Sequence, residues 1–493
     1  MLKRTQEIWF TLLLITSQVV ALAAVYGVYF KHVLPPLDPS ADPSEVKAKL
    51  PLYGLFQDIH VMIFVGFGFL LTSFHKFRLT SLTMCFWVAA LSVEYYFVFN
   101  MMWGQIFHRN LSKDAYVINN SKLIYGEVSA GAILIALCAV IGKVNDIQCF
   151  FITIVGIFLY TLNEEIVTVF LKCRDVGGAM IIHTFGAFFG IGITSIFNYT
   201  KSLRNRNAFE TQQSLSSAMA GTLFLWCFWP SFNAALATTP EEINIAVLNT
   251  YFSLIGSVTA AYGASLLLGG GKFTMGQILN ATLAGGVVMG SGADILYDGY
   301  VAYICGSLIG VISTICFAYI PKWLDQKDVF DVAGVLNLHG IPGVIGGLLS
   351  AIFRAKYIDN KGGNQVAGTF ISVGIGLYGG LTVGFLIKWL GCDEDKNDYY
   401  NDATNVNLEE EELHVLAQYG PAEAEQEAAP EELSRQDKKP IVEDRMTSRR
   451  DLGSDGLQEM NKDPKKEFYY DEDEEIAQER VAANLRIPVW ANN

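Results

Sequence analysis

Apolar residues in this chain come in long unbroken blocks, not in the alternation of a half-buried strand or the stripe of a surface helix. Twelve such runs fall at roughly 8–30, 55–74, 81–100, 122–142, 147–170, 177–198, 213–237, 244–268, 275–293, 296–320, 333–353 and 366–390. About 20 apolar residues cross a hydrocarbon core. The pattern therefore predicts an all-α polytopic protein with twelve transmembrane helices in the lipid bilayer. The first run ends in Tyr26, Tyr29 and Phe30 without a small-residue cleavage site, so it is read as a helix and not as a removable signal. Polar, proline-bearing residues 31–54 form the loop after it.

The pattern changes at residue 392. From Cys392 onward there are 28 acids against 12 basic residues, a net charge of −16, whereas the preceding residues net +2. Two regions follow: a membrane domain over 1–391 and an acidic, largely disordered cytoplasmic tail over 392–493, which solubilises the chain or takes a cytoplasmic partner. Only 17% of residues are charged, and no stretch has the basic character of a nucleic-acid binder. The eight cysteines are scattered without a CxxC pair, and no cofactor motif appears, so neither a metal site nor an enzyme is indicated.

Two stretches break the apolar pattern in the same way. Asp175-Val-Gly-Gly-Ala-Met-Ile-Ile-His183 and Asp331-Val-Ala-Gly-Val-Leu-Asn-Leu-His339 both read Asp-Val-x-Gly, four residues, then His. An acid at the start of a membrane helix and a histidine inside it are costly placements. The two helices lie five apart in chain order, an odd step, so they run in opposite directions. Helices 2–6 and 7–11 then form two inverted five-helix repeats, with an extra N-terminal helix and a C-terminal helix outside them. Eight residues of helix rise about 12 Å, against about 15 Å for half a hydrocarbon core. His183 and His339, entering from opposite faces, should meet near the middle.

Two neighbouring histidines can share one N–H···N bond with both rings neutral, which burial favours. Such a pair offers a donor and an acceptor to a small neutral solute such as ammonia or water, and is unwelcoming to a bare cation. Each acid has two compatible roles: capping its helix and attracting a cation near the entrance. Lysine and arginine divide evenly between the two sides. The sequons at Asn110 and Asn119 lie in the 101–121 loop. If used, they place that loop outside and both termini in the cytoplasm.

With these residues assembled, the sequence resembles the Rh glycoprotein branch of the ammonium transporter (Amt/Mep/Rh) superfamily over about residues 50–390. The segments Asp58–Phe69, Asp175–Gly186, Gly221–Asn233, Asn249–Leu254, Asn280–Gly286 and Asn337–Gly343 carry the resemblance. It implies a homotrimer with one pore per subunit and an eleven-helix core plus the extra first helix. It matches His183 and His339 to paired pore histidines, Asp175 and Asp331 to the outer and inner acids, and Phe232 to one ring of a phenylalanine gate. Val128 stands where the other gate ring is expected. Asn163 stands where Amt proteins place a tryptophan, which points to a weak outer aromatic cage. The implied function is conduction of ammonia, recruited as ammonium and deprotonated before passage. Carbon dioxide passage and a non-conducting membrane scaffold are the alternatives.

Overall fold

The computed structural model describes residues 2–24, 51–108, 118–196, 207–389 and 399–408. Helix occupies each of the twelve expected runs: α1 Leu2–Leu22, α2 51–70, α3 Arg78–His108, α4 Asn120–Cys138, α5 Asp146–Phe170, α6 Ala179–Ile196, α7 Gln212–Ala234, α8 Pro240–Leu268, α9 Met275–Met289, α10 Gly299–Asp325, α11 Leu336–Tyr357 and α12 Gly362–Trp389. Nine of these described helices are by themselves long and apolar enough to cross a bilayer. The chain is an all-α, multi-pass integral membrane protein.

Several helices start where a polar residue can satisfy the free N–H groups of the first turn. Asn145 with Gln148 opens α5, Thr211 with Ser214 opens α7, and Thr239 with Glu242 opens α8, each a reciprocal capping box. Two boundaries differ from the hydrophobic pattern. Helix α1 begins at Leu2, not at Ile8, and so takes in Lys3, Arg4 and Glu7. Helix α3 overruns the expected 81–100 at both ends, and polar residues inside it find partners. Gln18 on α1, for example, bonds Glu94 at 2.7 Å.

Glycines let the helices approach closely, which in a membrane substitutes for a hydrophobic drive. On α11, Gly340 packs against Ala187, Gly343 against Thr184 and Gly347 against Met180. Residue numbers rise along α11 as they fall along α6, so the two helices are antiparallel. On α10, Gly306 meets Ser253 and Gly310 meets Ser257, a constant offset that makes α8 and α10 parallel. Gly376, Gly380 and Gly384 of α12 likewise climb past Phe185, Phe189 and Ile193 of α6. All three relations are those of a chain that crosses a bilayer at every helix.

The face where α3, α5, α7 and α11 begin is called inner. Residues 399–408, which follow the expected end of the membrane domain, dock there. Tyr400 is fully buried and its N–H bonds Gly142 O at 3.2 Å. The Asp402 carboxylate accepts from the N–H groups of Leu79 and Thr80 at the start of α3, at 3.1 and 2.7 Å. The rest of the tail lies outside the described residues.

Candidate functional site: a paired-histidine conduit

The two motif copies fold alike. In each, the fourth residue is a glycine in the left-handed region, Gly178 at φ 67° and Gly334 at φ 72°, which only glycine adopts cheaply. In each, the segment after it is a widened π-type turn ending at or just past the histidine, 179–184 and 336–340. Such turns are rare and gather at functional sites. The acid lies under the turn and accepts its free N–H groups. Asp175 takes those of Met180 and Ile181 at 3.1 and 2.8 Å, and Asp331 those of Val335 and Leu336 at 2.9 and 3.0 Å. Both acids are buried, so their capping role is built in.

Each turn is held by the opposite half of the molecule. Gly177 N–H bonds Gly290 O at 2.7 Å, and Ser291 donates to Asp175, both from the end of α9. Val332 and Ala333 N–H bond Ala139 and Cys138 O at 3.3 and 3.2 Å, at the end of α4. Lys143, just beyond, is buried and donates to Phe330 O at 2.6 Å and Thr194 Oγ1 at 3.1 Å. Burial pushes the Asp175 carboxyl up to about 6, against the pull of its Ser291 and backbone bonds. Burial also raises Asp331, but there the neighbouring Lys143 charge opposes the rise. The same burial lowers Lys143 to about 7.

The histidines meet. His183 Nδ1 and His339 Nδ1 are 3.1 Å apart, and the rings are nearly coplanar, 12° apart with centroids at 5.1 Å. One Nδ1 must donate and the other accept. The donor ring then carries a lone pair on Nε2 and the acceptor ring an N–H there. His183 Nε2 is buried and has no hydrogen-bond partner among the described residues. His339 lies on the wall of a cavity of about 220 Å³ that reaches the inner face.

Rings flank the pair. Trp229, fully buried on α7, stacks on His183 at 5.6 Å and 24°, and Phe67 on α2 stacks on His339 at 6.5 Å and 22°. Phe232, one turn beyond Trp229, lies 6.0 Å from His183, ring to ring. Val128 is buried on α4 and brings no ring. Asn163 is buried, exchanging bonds with Ser372 at 3.1 and 3.2 Å. Asn119 caps α4, its side-chain oxygen accepting from Lys122 N–H at 3.0 Å. Asn110 lies outside the described residues.

The profile of the Ammonium Transporter Family matches residues 21–391. The chain belongs to this family. Among family members, ammonium transporter Rh type A of Canis lupus familiaris is 40% identical over 319 residues, 64% of this chain and 75% of its own. Ammonium transporter Rh type C of the same species is 34% identical over 437 residues, 80% of this chain and 92% of its own. A solved structure described as Nitrosomonas europaea Rh50 and the mechanism of conduction by the Rhesus family of channels superposes with a TM-score of 0.67. It is 30% identical and covers 76% of this chain and 96% of that one. A sensor Amt protein shares the fold at a TM-score of 0.60 and 16% identity. The family is one of transporters, not enzymes.

Sequence reasoning passed over Trp229, Phe67, Ser291 and Lys143. Trp229 stands three residues before Phe232, a helical spacing that ordinarily means packing. Ser291 and Lys143 reach the acids only through the crossing of the two halves, which leaves no local mark in the chain.

Proposed function

We propose that the chain conducts ammonia across a membrane between the two histidines. The observation that carries this reading is the His183–His339 pair, whose shared Nδ1 contact leaves an unpartnered Nε2 in a buried, ring-lined position. That geometry gives ammonia, which both donates and accepts, a polar foothold without a fixed charge. A bare ammonium ion would lose its hydration there for no compensating anion. Ammonium is drawn to the outer end, where the Asp175 charge contributes, and loses its proton before Phe232. Ammonia passes the histidines and regains a proton on the inner side, beyond Asp331. Transport is electroneutral if the proton stays behind. Phe232 forms a one-ring gate, with Val128 opposite it.

The same reading includes three subunits, each with its own conduit, and both termini in the cytoplasm. It makes Asn119 a glycan acceptor, because the capping bond uses its oxygen and leaves its amide nitrogen to carry the sugar. The test is stopped-flow fluorimetry on proteoliposomes holding a pH dye. An inward ammonium gradient should alkalinise the lumen faster than in protein-free vesicles. Equal rates would sink the channel reading and favour a non-conducting scaffold. Current on a solid-supported membrane separates electroneutral from electrogenic passage.

A further inference from the structure

The inner cavity runs from His339 to the surface, and Asp331 and Glu210 are the two acids on its wall. They are differently engaged. Asp331 is buried, bonds two backbone N–H groups and has the Lys143 ammonium as a neighbouring charge. Glu210 is exposed as a residue, the surrounding protein raises its carboxyl above the usual range by partial desolvation, and that carboxylate has no hydrogen bond or ion pair among the described residues. Its backbone is nonetheless fixed. Glu210 forms an antiparallel bridge with Phe74, and His75 N–H bonds Phe209 O at 2.9 Å. Phe74 lines the same cavity. A free anionic side chain is thus held on a rigid ledge at the inner opening of the passage that ends at His339.

We propose that Glu210, not Asp331, is the carboxylate that meets ammonium at the inner mouth. This inference rests on the conduction reading above. A cation leaving or entering by the inner cavity passes the Glu210 carboxylate, which is unpaired among the described residues, and that anion raises the local cation concentration. Asp331, committed to its turn and balanced by Lys143, keeps the backbone of the His339 segment in place. The ligand class is a small monovalent cation, with ammonium as the transported one.

The test uses the full-length chain in proteoliposomes captured through a carboxy-terminal tag, so that the inner face is turned outward. Ammonium-driven alkalinisation is followed over a range of ammonium concentrations at low and high salt. Glu210→Gln should raise the half-saturating ammonium concentration about threefold at low salt, in the range of single exposed charge interactions. Glu210→Lys should raise it further, and Glu210→Asp should stay near wild type. The maximal rate should hold, and the differences should fade near 1 M salt, where screening shortens to about 3 Å. Unchanged half-saturation in the Gln and Lys variants overturns the assignment, as does a lower maximal rate at unchanged half-saturation, which a purely structural role would give. A wild-type protein that does not conduct removes the underlying reading first, and this inference with it.

Discussion

The two arms of the repeated motif share a design and differ in how their acid is balanced. Outer Asp175 is answered by hydrogen-bond donors alone: two backbone N–H groups and the Ser291 hydroxyl. Inner Asp331 has the two N–H groups and, in place of a hydroxyl, the charge of buried Lys143. Burial raises both carboxyls, the outer one to about 6, and hydrogen bonds oppose the rise at both, while a neighbouring lysine opposes it only at the inner one. An uncompensated negative field at one end and a compensated one at the other make the conduit chemically polar, although its histidines are close to symmetric. At the inner mouth the exposed acid on the cavity wall is Glu210.

The largest break in this comparison is removal of each acid in turn. Below about pH 7, where Lys143 keeps its proton, Asp331→Leu deprives two N–H groups of their acceptor and removes a neighbouring negative charge from that buried ammonium, a larger loss than that of neutral donors alone. Asp175→Leu strands only neutral donors, at about 1–3 kcal/mol. Thermal unfolding in detergent should therefore place Asp331→Leu lower, and Lys143→Met added to it should recover part of the difference. Equal melting temperatures for the two single variants would show that Lys143 does not balance Asp331.

The motif glycines come next. Alanine at either left-handed position costs about 1–2 kcal/mol from the backbone alone. The added methyl at 334 would sit 2.3 Å from the edge of the partly buried Phe317 ring of α10, whereas at 178 it would meet buried Ile182 from Cδ1 at 2.1 Å down to Cβ at 2.9 Å. Gly178→Ala should destabilise more than Gly334→Ala; the reverse order would show that the outer turn has more freedom than its packing implies.

A smaller signature lies in the pH dependence of stability. Lys143 titrates near 7 in the folded chain, below an exposed lysine. Between about pH 7 and 10 the unfolded chain binds the extra proton, so this residue makes stability rise with pH. Below 7 both states hold the proton and the slope vanishes. Lys143→Met should flatten that rise, and the Asp175 variants should not. An unaltered slope in Lys143→Met would assign the titration to another group.

Much of this was legible in the chain because a bilayer leaves few options. Helices must be about 20 residues long, so the apolar runs located all twelve, and the cost of an acid and a histidine in such runs marked the doubled motif. Parity of crossings then brought His183 and His339 together without any knowledge of packing. What escaped was whatever depends on which helix neighbours which. Trp229 and Phe67 read as ordinary aromatic packing until the stack of four rings is seen. Gly290 and Ser291 carry no mark linking them to Asp175, and Lys143 none linking it to Asp331. Tyr400 belongs by composition to an acidic tail, yet it is buried against Gly142 at φ 76°, where an added methyl would lie 2.3 Å from the tyrosine ring.

The smallest expected effect on the fold is the one that sharpens the outer end. Val128 is buried on α4, and the Phe232 ring stands 6.0 Å from His183. If the outer constriction is a single ring because Val128 fills the second position, Val128→Phe restores a pair and narrows that end alone. The cost is that of overpacking a core position, about 1–3 kcal/mol, and it falls if the new ring turns into the passage. Conduction of methylammonium should then drop more than that of ammonium in the same vesicles, because the extra methyl must clear two rings in place of one. Loss of both in equal proportion would mean that the fold had yielded. Unchanged discrimination would mean that Val128 does not face the passage, and the outer arm would then owe its selectivity to Phe232, Trp229 and the Asp175 field alone.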